Sequence, residues 1–381
     1  MLTQPPLALY VHIPWCLSKC PYCDFNSYPI TEIVPEAKLI PALLQDLALG
    51  ITMLPGRVLS SIFIGGGTPS IISAPWIEAL LSGISNYCQL ATNAEITLEA
   101  NPGTVHLDQL IGYRQSGINR LSLGIQSFNA EHLRSIGRIH SSQHAIAAVH
   151  MAQTAGFEHL NLDLMFGLPK QDIKSALYDL EQAVNLAPTH ISWYQLTLEP
   201  NTRFFTAPPE LPDEDVLWEI QNSGQQFLDD SGFAQYEVSA YAQNHNYCVH
   251  NLNYWQFGDY LGIGPGAHSK LTASSGQISR IHKPILPEAY FQQLAAGAVY
   301  ASTQILDSQQ LVEEFLLNAL RLRQGFSWDL FEQRTGLKPS VIMPGVLKAQ
   351  AAGLIDWDHK QVCTTNLGYQ FLNQLLIMLF M

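Results

Sequence analysis

Over its first two hundred residues the chain changes character with a regular beat, and this constrains the fold more than any other feature. Apolar, β-branched or aromatic runs occur at LALYVHIP, SSIFIGGG, AEITLEANP, NRLSLGIQSF, LNLDLMFGLP and ISWYQLTLEP. Between them lie helix-like stretches such as PEAKLIPALLQDLAL, PWIEALLSGISNYC, LDQLIGYRQSG, SSQHAIAAVHMAQTAG and IKSALYDLEQAVNLA. Strands alternating with helices predict βαβ units and a parallel sheet. Six such units run from about residue 7 to about residue 200. The runs are nearly continuous in apolar character, which suits a sheet covered on both faces. Gly117 and Gly156 stand where a helix ends in a left-handed residue before the next strand.

Six units are two short of a full eight-fold barrel, and both a partial barrel and a doubly wound sheet fit the beat. The strand ends discriminate. Every run finishes in a polar or glycine-rich segment: a cysteine loop, GGGTP, EANPG, GIQSF, DLMFGLP and YQLTLEP. In a barrel all of these ends share one mouth, whereas an open sheet uses a single crevice. The pattern therefore predicts an α/β fold with a partial (β/α)6 TIM-like barrel over residues 1–205. Residues 206–290 begin with the linker PPELPDED and continue into a segment rich in Tyr, Trp, Asn and Gly, read as a barrel extension. Within it GIGPGAH (262–268) reads as a tight turn near the mouth, since its spacing misses G-x-G-x-x-G. Residues 291–381 read as a smaller, mainly helical, winged-helix-like domain: LVEEFLLNALRL and SWDLFEQRTG are amphipathic, and a short hairpin leads into a last helix.

Composition narrows the classes of function. With 47% apolar and 13% charged residues in 381, the chain can bury a sizeable core. Its net charge is −13 and no basic stripe is visible, so nucleic acid is not an expected partner. The N-terminal MLTQPPLALYVHIP lacks the marks of a secretory signal. No apolar run reaches the roughly 18 residues of a membrane span, and the terminal FLNQLLIMLFM reads as a packed helix. A cytoplasmic location is expected, with at most transient membrane association.

Three of the six cysteines fall within YVHIPWCLSKCPYCDF, at C-x3-C-x2-C, while Cys88, Cys248 and Cys363 are scattered. Clustered thiols in a reducing compartment point to metal or redox chemistry rather than disulfides. A structural zinc site needs four ligands, usually from two separated pairs; no second pair exists, which leaves Cys88, Cys248 or Cys363 as a lone fourth ligand without a recognisable partner. Ligand counting instead favours a cubane iron–sulfur cluster on Cys16, Cys20 and Cys23, with one iron left open, since such clusters normally take four cysteines.

C-x3-C-x2-C with an aromatic, Tyr22, before the last cysteine resembles the signature of the radical S-adenosylmethionine enzymes. The resemblance implies a [4Fe-4S] cluster whose open iron binds the amino and carboxylate groups of S-adenosylmethionine, and an electron donor that reduces the cluster. YVHIPWC, GGGTPS, EANP, GIQSF, IGR.H and D.M.GLP then follow in the order of the oxygen-independent coproporphyrinogen dehydrogenase-like branch, over the whole chain. That branch implies Tyr10 near the cofactor's sulfonium, and Gly66, Gly67 and Thr68 at its methionine amino end. Glu99, Gln126, Arg138 and Asp163 would line the rest of the pocket. The types suit the roles: glycines allow close backbone approach, carboxylates suit an ammonium or ribose hydroxyls, and arginine suits a carboxylate. Taken singly, GGGTP is an ordinary strand-to-helix turn and a Glu after a strand is more often a cap or surface residue.

Phe25 separates two members of the branch. The dehydrogenases carry a further cysteine two positions after the third, and an N-terminal extension. This chain has Phe25 there, and fifteen residues precede Cys16. Both departures resemble the branch's haem chaperones. So does HNLNYW (250–255), which fits their H-N-x-x-Y-W haem-binding motif. It implies His250 as the axial ligand of haem iron, with Asn251, Tyr254 and Trp255 orienting it or stacking on the porphyrin. His12, His140 and His268 have no such support. The resemblance thus implies a chaperone carrying haem as cargo to apo-haem proteins of the respiratory chain, docked near the barrel mouth, with a homodimer as a plausible assembly. Its alternative is the dehydrogenase itself, which converts coproporphyrinogen III to protoporphyrinogen IX.

Overall fold

The computed structural model describes residues 2–30 and 33–380. Strands β1 (Leu7–Ile13), β2 (Val58–Gly66), β3 (Gln89–Ala100), β4 (Arg120–Gln126), β5 (His159–Phe166) and β6 (His190–Gln195) are neighbours in chain order, each parallel to the next. The crossovers carry α1 (Glu36–Ile51), α2 (Ala74–Tyr87), α3 (Leu107–Gln115), α4 (Ser142–Thr154) and α5 (Ile173–Asn185). This is the six-unit partial barrel that the alternation predicts.

Alternation along each strand sorts the side chains. On β1, Leu7, Leu9, Val11 and Ile13 are fully buried and join Leu39, Leu43, Ile77 and Leu80 of α1 and α2 in one core between sheet and helices. Burying each such side chain contributes roughly 1.5–3 kcal/mol. Tyr10 points the other way, where its ring meets Phe63 of β2.

The parallel strands do not stop at six. Strand β9 (Asp259–Ile263) pairs parallel with β1, opposite β2. Beyond β6 the sheet continues antiparallel through β8 (Ala240–Ala242) and β7 (Ala234–Glu237), and beyond β9 through β10 (His268–Thr272), β11 (Ile278–His282) and β12 (Ser302–Ile305). The order is β12-β11-β10-β9-β1-β2-β3-β4-β5-β6-β8-β7. The sequence hides β9 because its run is only DYLGI. Moreover, the helix before it, α7 (Val249–Trp255), follows α6 (Glu214–Asp230) and packs against the interior face of β2 rather than outside it. Strand β12 lies beyond residue 290, where the chain reads as helical; its four residues form an exposed edge.

Two buried charge clusters fasten this added sheet. Asp46 of α1 pairs with Lys283 and accepts hydrogen bonds from Tyr290 Oη and Gly264 N, each at 3.0 Å. Asp259 pairs with Lys270 and Arg57, both at 3.1 Å. Beyond the helix α8 (Pro287–Ala295), α9 (Ser308–Ala319), β13 (Phe326–Ser327), α10 (Trp328–Thr335), α11 (Met343–Ala351), β14 (Ile355–Trp357) and β15 (Gln361–Thr364) follow in winged-helix order. They enclose a separate core of Phe315, Phe331, Val346 and Leu375. Among the described residues, no helix is long and apolar enough to cross a membrane.

Candidate functional site

The loop that carries the three cysteines leaves the C-terminal end of β1. Its base is held by backbone bonds: Gly67 N donates to Ile13 O at 2.7 Å, and Thr68 N to Trp15 O at 2.8 Å. This explains the glycine run. A Cβ on Gly67 would lie 2.4 Å from Trp15 O, and Gly66 adopts φ +118° beside the His12 ring. The glycines make room for the cysteine loop first, and only then for a ligand.

Above that base lies a cavity of about 410 Å³. Cys16, Cys20 and Cys23 line it together with Gly66, Gly67, Thr68, Glu99, Gln126, Arg138 and Asp163. Residues from five parallel strand ends and the cysteine loop thus meet at one mouth. Only weak partners reach the thiols: Cys16 Sγ lies 3.8 Å from Tyr28 O, and Cys23 Sγ 4.0 Å from Ser27 Oγ. Cys20 Sγ accepts from Arg138 Nη1 at 3.8 Å. Burial raises the Cys16 and Cys23 thiols above their ordinary values, a cost that bound metal would reverse by taking thiolates as ligands.

Of the four carboxylates that line the cavity, Glu99 and Asp163 are the two held at the strand ends. Burial first, and the neighbouring Asp163 second, push Glu99 up to about 8, although Gly66 N donates to its Oε2 at 3.2 Å. Asp163 is also raised by burial, despite accepting from Ser122 Oγ at 2.9 Å and Asn161 Nδ2 at 2.8 Å. A cation entering here would relieve both. The Arg138 guanidinium, anchored by donating to Gly124 O, brings a cationic group beside Cys20, and Lys19 lines the same cavity. Gln126 closes β4 in a left-handed conformation (φ 72°), and its Oε1 accepts from Tyr194 Oη at 2.8 Å. Tyr194 and Ser122 also line the cavity and were not singled out from sequence. Their signal was the alternation itself, which puts both on inward positions of their strands.

The donor set fits a cluster held by three thiolates. No fourth thiol joins it: Cys88 lies in the main core, Cys248 donates to Glu95 Oε1 at 3.5 Å, and Cys363 donates to Gln324 O in the C-terminal domain. Among the described residues no group of three or more His, Cys, Asp or Glu side chains is gathered to hold a single ion. The three sulfurs instead line a cavity large enough for a bigger group.

The remaining expected residues are placed elsewhere. Tyr10 does not line the cavity; its hydroxyl bonds to His12 Nδ1 at 3.0 Å, and its ring lies over Phe63. His250 is not at the mouth at all. On α7 it is 1% exposed and sits against Ser61 of β2, which pairs with Ala8, a register lower than Tyr10. Both of its nitrogens are engaged, Nδ1 with Ser61 Oγ and Nε2 with Tyr254 Oη, each at 3.0 Å. Burial pushes its pKa down to about 3. Haem docking at the mouth through His250 is therefore not what this conformation presents. Asn251 and Trp255 lie about 100° further round the helix than His250 and Tyr254 respectively, and the Arg321 guanidinium covers the Trp255 ring at 4.3 Å.

Glu95 is the residue the sequence does not announce. From β3 it caps the start of α7, accepting from Val249 N at 3.1 Å and His250 N at 3.0 Å, and it lies 3.9 Å from Arg120 Nη1. A chain of hydrogen bonds connects this level to the cavity. Asn161 links Asp163 to His190 Nδ1 (2.6 Å), His190 Nε2 meets Tyr236 Oη (2.8 Å), and Tyr236 Oη accepts from Cys248 N (3.3 Å) at the foot of α7.

Comparison with known proteins identifies relatives that span the whole chain. Residues 10–182 match the model of the radical SAM superfamily, and residues 306–371 that of the HemN C-terminal domain. The chain is 47% identical to Heme chaperone HemW of Escherichia coli K12, over 99% of this chain and 98% of that one. It is 47% identical to Heme chaperone HemW of Haemophilus influenzae, over 98% and 97%. Coproporphyrinogen III oxidase (HemN) of Escherichia coli, described as a radical SAM enzyme, superposes with a TM-score of 0.84 at 25% identity, covering 99% of this chain and 90% of its own.

Proposed function

The chain belongs to the HemW family within the radical SAM superfamily, and on that premise we propose how its parts serve a haem chaperone, which binds haem and passes it to haem proteins. Cys16, Cys20 and Cys23 hold a [4Fe-4S] cluster at the floor of the mouth cavity. S-adenosylmethionine occupies the rest of the cavity. Glu99 and Asp163 would receive its amino N–H and ribose hydroxyls, Arg138 would face its carboxylate, and Gly66, Gly67 and Thr68 would border the amino end. When bound, the cluster supplies one-electron chemistry toward the sulfonium. The protein's share is to exclude water, to hold three thiolates, and to balance charge with Arg138, Glu99 and Asp163.

Haem is the cargo, delivered to apo-haem proteins of the respiratory chain. The H-N-x-x-Y-W helix keeps His250 out of reach, so ligation by His250 requires its ring to leave Ser61 of β2 and Tyr254 of its own helix. The observation that carries this reading is the convergence of three cysteines, Glu99, Asp163 and Arg138 in one cavity, with Phe25 on its lip where the dehydrogenase branch has a fourth loop cysteine.

The test is a paired anaerobic assay on protein with its cluster reconstituted. One sample receives coproporphyrinogen III, S-adenosylmethionine and a reductant; the other is titrated with haem and then mixed with an apo-cytochrome. Haem uptake and transfer without protoporphyrinogen is the expected result. Sustained protoporphyrinogen formation would make the protein a dehydrogenase.

A further inference from the structure

The GIGPGAH turn (262–268) has no part in the site described above, yet it meets the cysteine loop at Asn26. Asn26 stands three residues after Cys23 and is half-buried. Its Nδ2 donates to Pro265 O and to Ile285 O, both at 3.0 Å, and its Oδ1 accepts from Tyr28 Oη at 3.0 Å. A carboxamide nitrogen carries two hydrogens, and two carbonyls take them both. Pro265 lies in the turn after β9 and Ile285 beyond β11, 239 and 259 positions further along the chain. One side chain thus bolts the cysteine loop to two segments of the added sheet.

The turn is shaped around this amide. Gly266 adopts φ +75°, and a Cβ there would lie 2.2 Å from Asn26 Nδ2, with its three nearest neighbours all in the Asn26 side chain. Gly266 N donates to Pro284 O at 2.8 Å, which holds the two accepting segments side by side. On the strand side, His12 of β1 reaches Asn26 O through Nε2 at 2.8 Å. A carbonyl only accepts, so Nε2 carries the proton and Nδ1 accepts from Tyr10 Oη at 3.0 Å.

The other two thiols have supports of their own. Residues 15–16 pair with residues 28–29 as short parallel strands, which fixes Cys16. Cys20 Sγ accepts from Arg138 Nη1, and Pro21 O beside it accepts from Phe204 N at 3.0 Å. Cys23 Sγ meets Ser27 Oγ at 4.0 Å, and Asn26 ties its segment to the added sheet.

We propose that Asn26 is a positioning residue for the iron–sulfur cluster: clamped by the GIGPGAH turn, it fixes the Cys23 end of the loop so that the three thiolates stay gathered on the metal. The proposal rests on the reading of Cys16, Cys20 and Cys23 as cluster ligands. The clamp lies at the rim and outside the cores, so it governs the cluster more than the fold.

The experiment reconstitutes the full chain anaerobically as wild type, Asn26→Asp, Asn26→Ala, Gly266→Ala and the Asn26→Ala/Gly266→Ala double variant. It reads iron and sulfide content, iron release to a chelator, and electron paramagnetic resonance of the reduced cluster. Asn26→Asp keeps the shape but sets carboxylate oxygens against two carbonyls. Each single variant should release iron at least about tenfold faster than wild type, as two lost hydrogen bonds imply, with broadened resonance lines. Because Gly266 acts through Asn26, the double variant should be no faster than Asn26→Ala. The cluster-free Asn26→Ala protein should keep the wild-type urea midpoint. Wild-type release from Asn26→Asp and Asn26→Ala overturns the proposal and leaves the cluster reading standing. An additive double variant, or a cluster-free midpoint that falls in step with the iron loss, does the same. A wild type that takes up no cluster overturns both.

Discussion

The mouth of the barrel and its lower interior are built from the same residue types and treat them in opposite ways. At the mouth, polar groups are left wanting. Three thiols have partners no closer than 3.8 Å, and Glu99 and Asp163 are both pushed up by burial with each other as neighbours. One or two registers lower, the carboxylate and the histidines are used up, although Arg120 Nη2 and Thr97 Oγ1 stay unpaired. Glu95 accepts from the start of α7, His250 and His190 spend both nitrogens, and Asn161 joins four neighbours. Unpaired buried chemistry is destabilising on its own, so its concentration at one place marks where a ligand belongs. Saturated chemistry marks architecture, even when it falls in a sequence motif associated with binding.

The largest test of this contrast lies in the loop. Replacing Cys16, Cys20 and Cys23 with alanine should abolish the cluster, read as iron and sulfide content after anaerobic reconstitution, while the urea midpoint stays close to wild type. A triple variant that unfolds would show that the mouth is architecture too. The converse change is Glu95→Ala, which strips the start of α7 and leaves Arg120 buried without its carboxylate. A loss of about 3 kcal/mol in urea unfolding is expected, with cluster content retained. A more modest effect belongs to Tyr236→Phe, which deletes the hydroxyl between His190 and Cys248. About 1 kcal/mol should be lost, and a neutral outcome would mean that the chain of hydrogen bonds is not a structural element.

The smallest effect concerns protons. Glu99 has its folded-state pKa raised from 4.5 to about 8. A carboxyl raised on folding holds a proton that the unfolded chain has lost, so its contribution is full below about 4.5 and fades as pH climbs through about 8. Glu99→Gln should flatten that decline in stability against pH. In the wild type, a ligand that brings an ammonium into the cavity should expel part of a proton near neutral pH, visible as a calorimetric heat that varies with the buffer. Binding with no proton release would place the cation away from Glu99.

Much of this was legible in the chain. Nearly continuous apolar runs and glycine-ended helices define six βα units because a strand covered on both faces and an amphipathic crossover each leave a compositional mark. The cysteine spacing, the GGGTP turn and the polar strand ends define the mouth because residues at the ends of parallel strands are brought together by topology, whatever lies between them. The winged-helix order of the last domain was visible from its hairpin and amphipathic helices.

What the tertiary structure alone decided is where the remaining residues point. Nothing in DYLGI says that it becomes a seventh parallel strand, since its neighbours in the sheet are hundreds of residues away or on the far side of a turn. HNLNYW reads as a binding motif, but burial against Ser61 and Tyr254 fixes His250 as a closed core residue in this conformation. His268 and His282 lie fourteen positions apart, and only the β10–β11 register stacks them. Local sequence determines element type through periodicity and turn chemistry. Which polar groups end up paired and which are left waiting depends on contacts between distant segments, and those exist only once the sheet has closed.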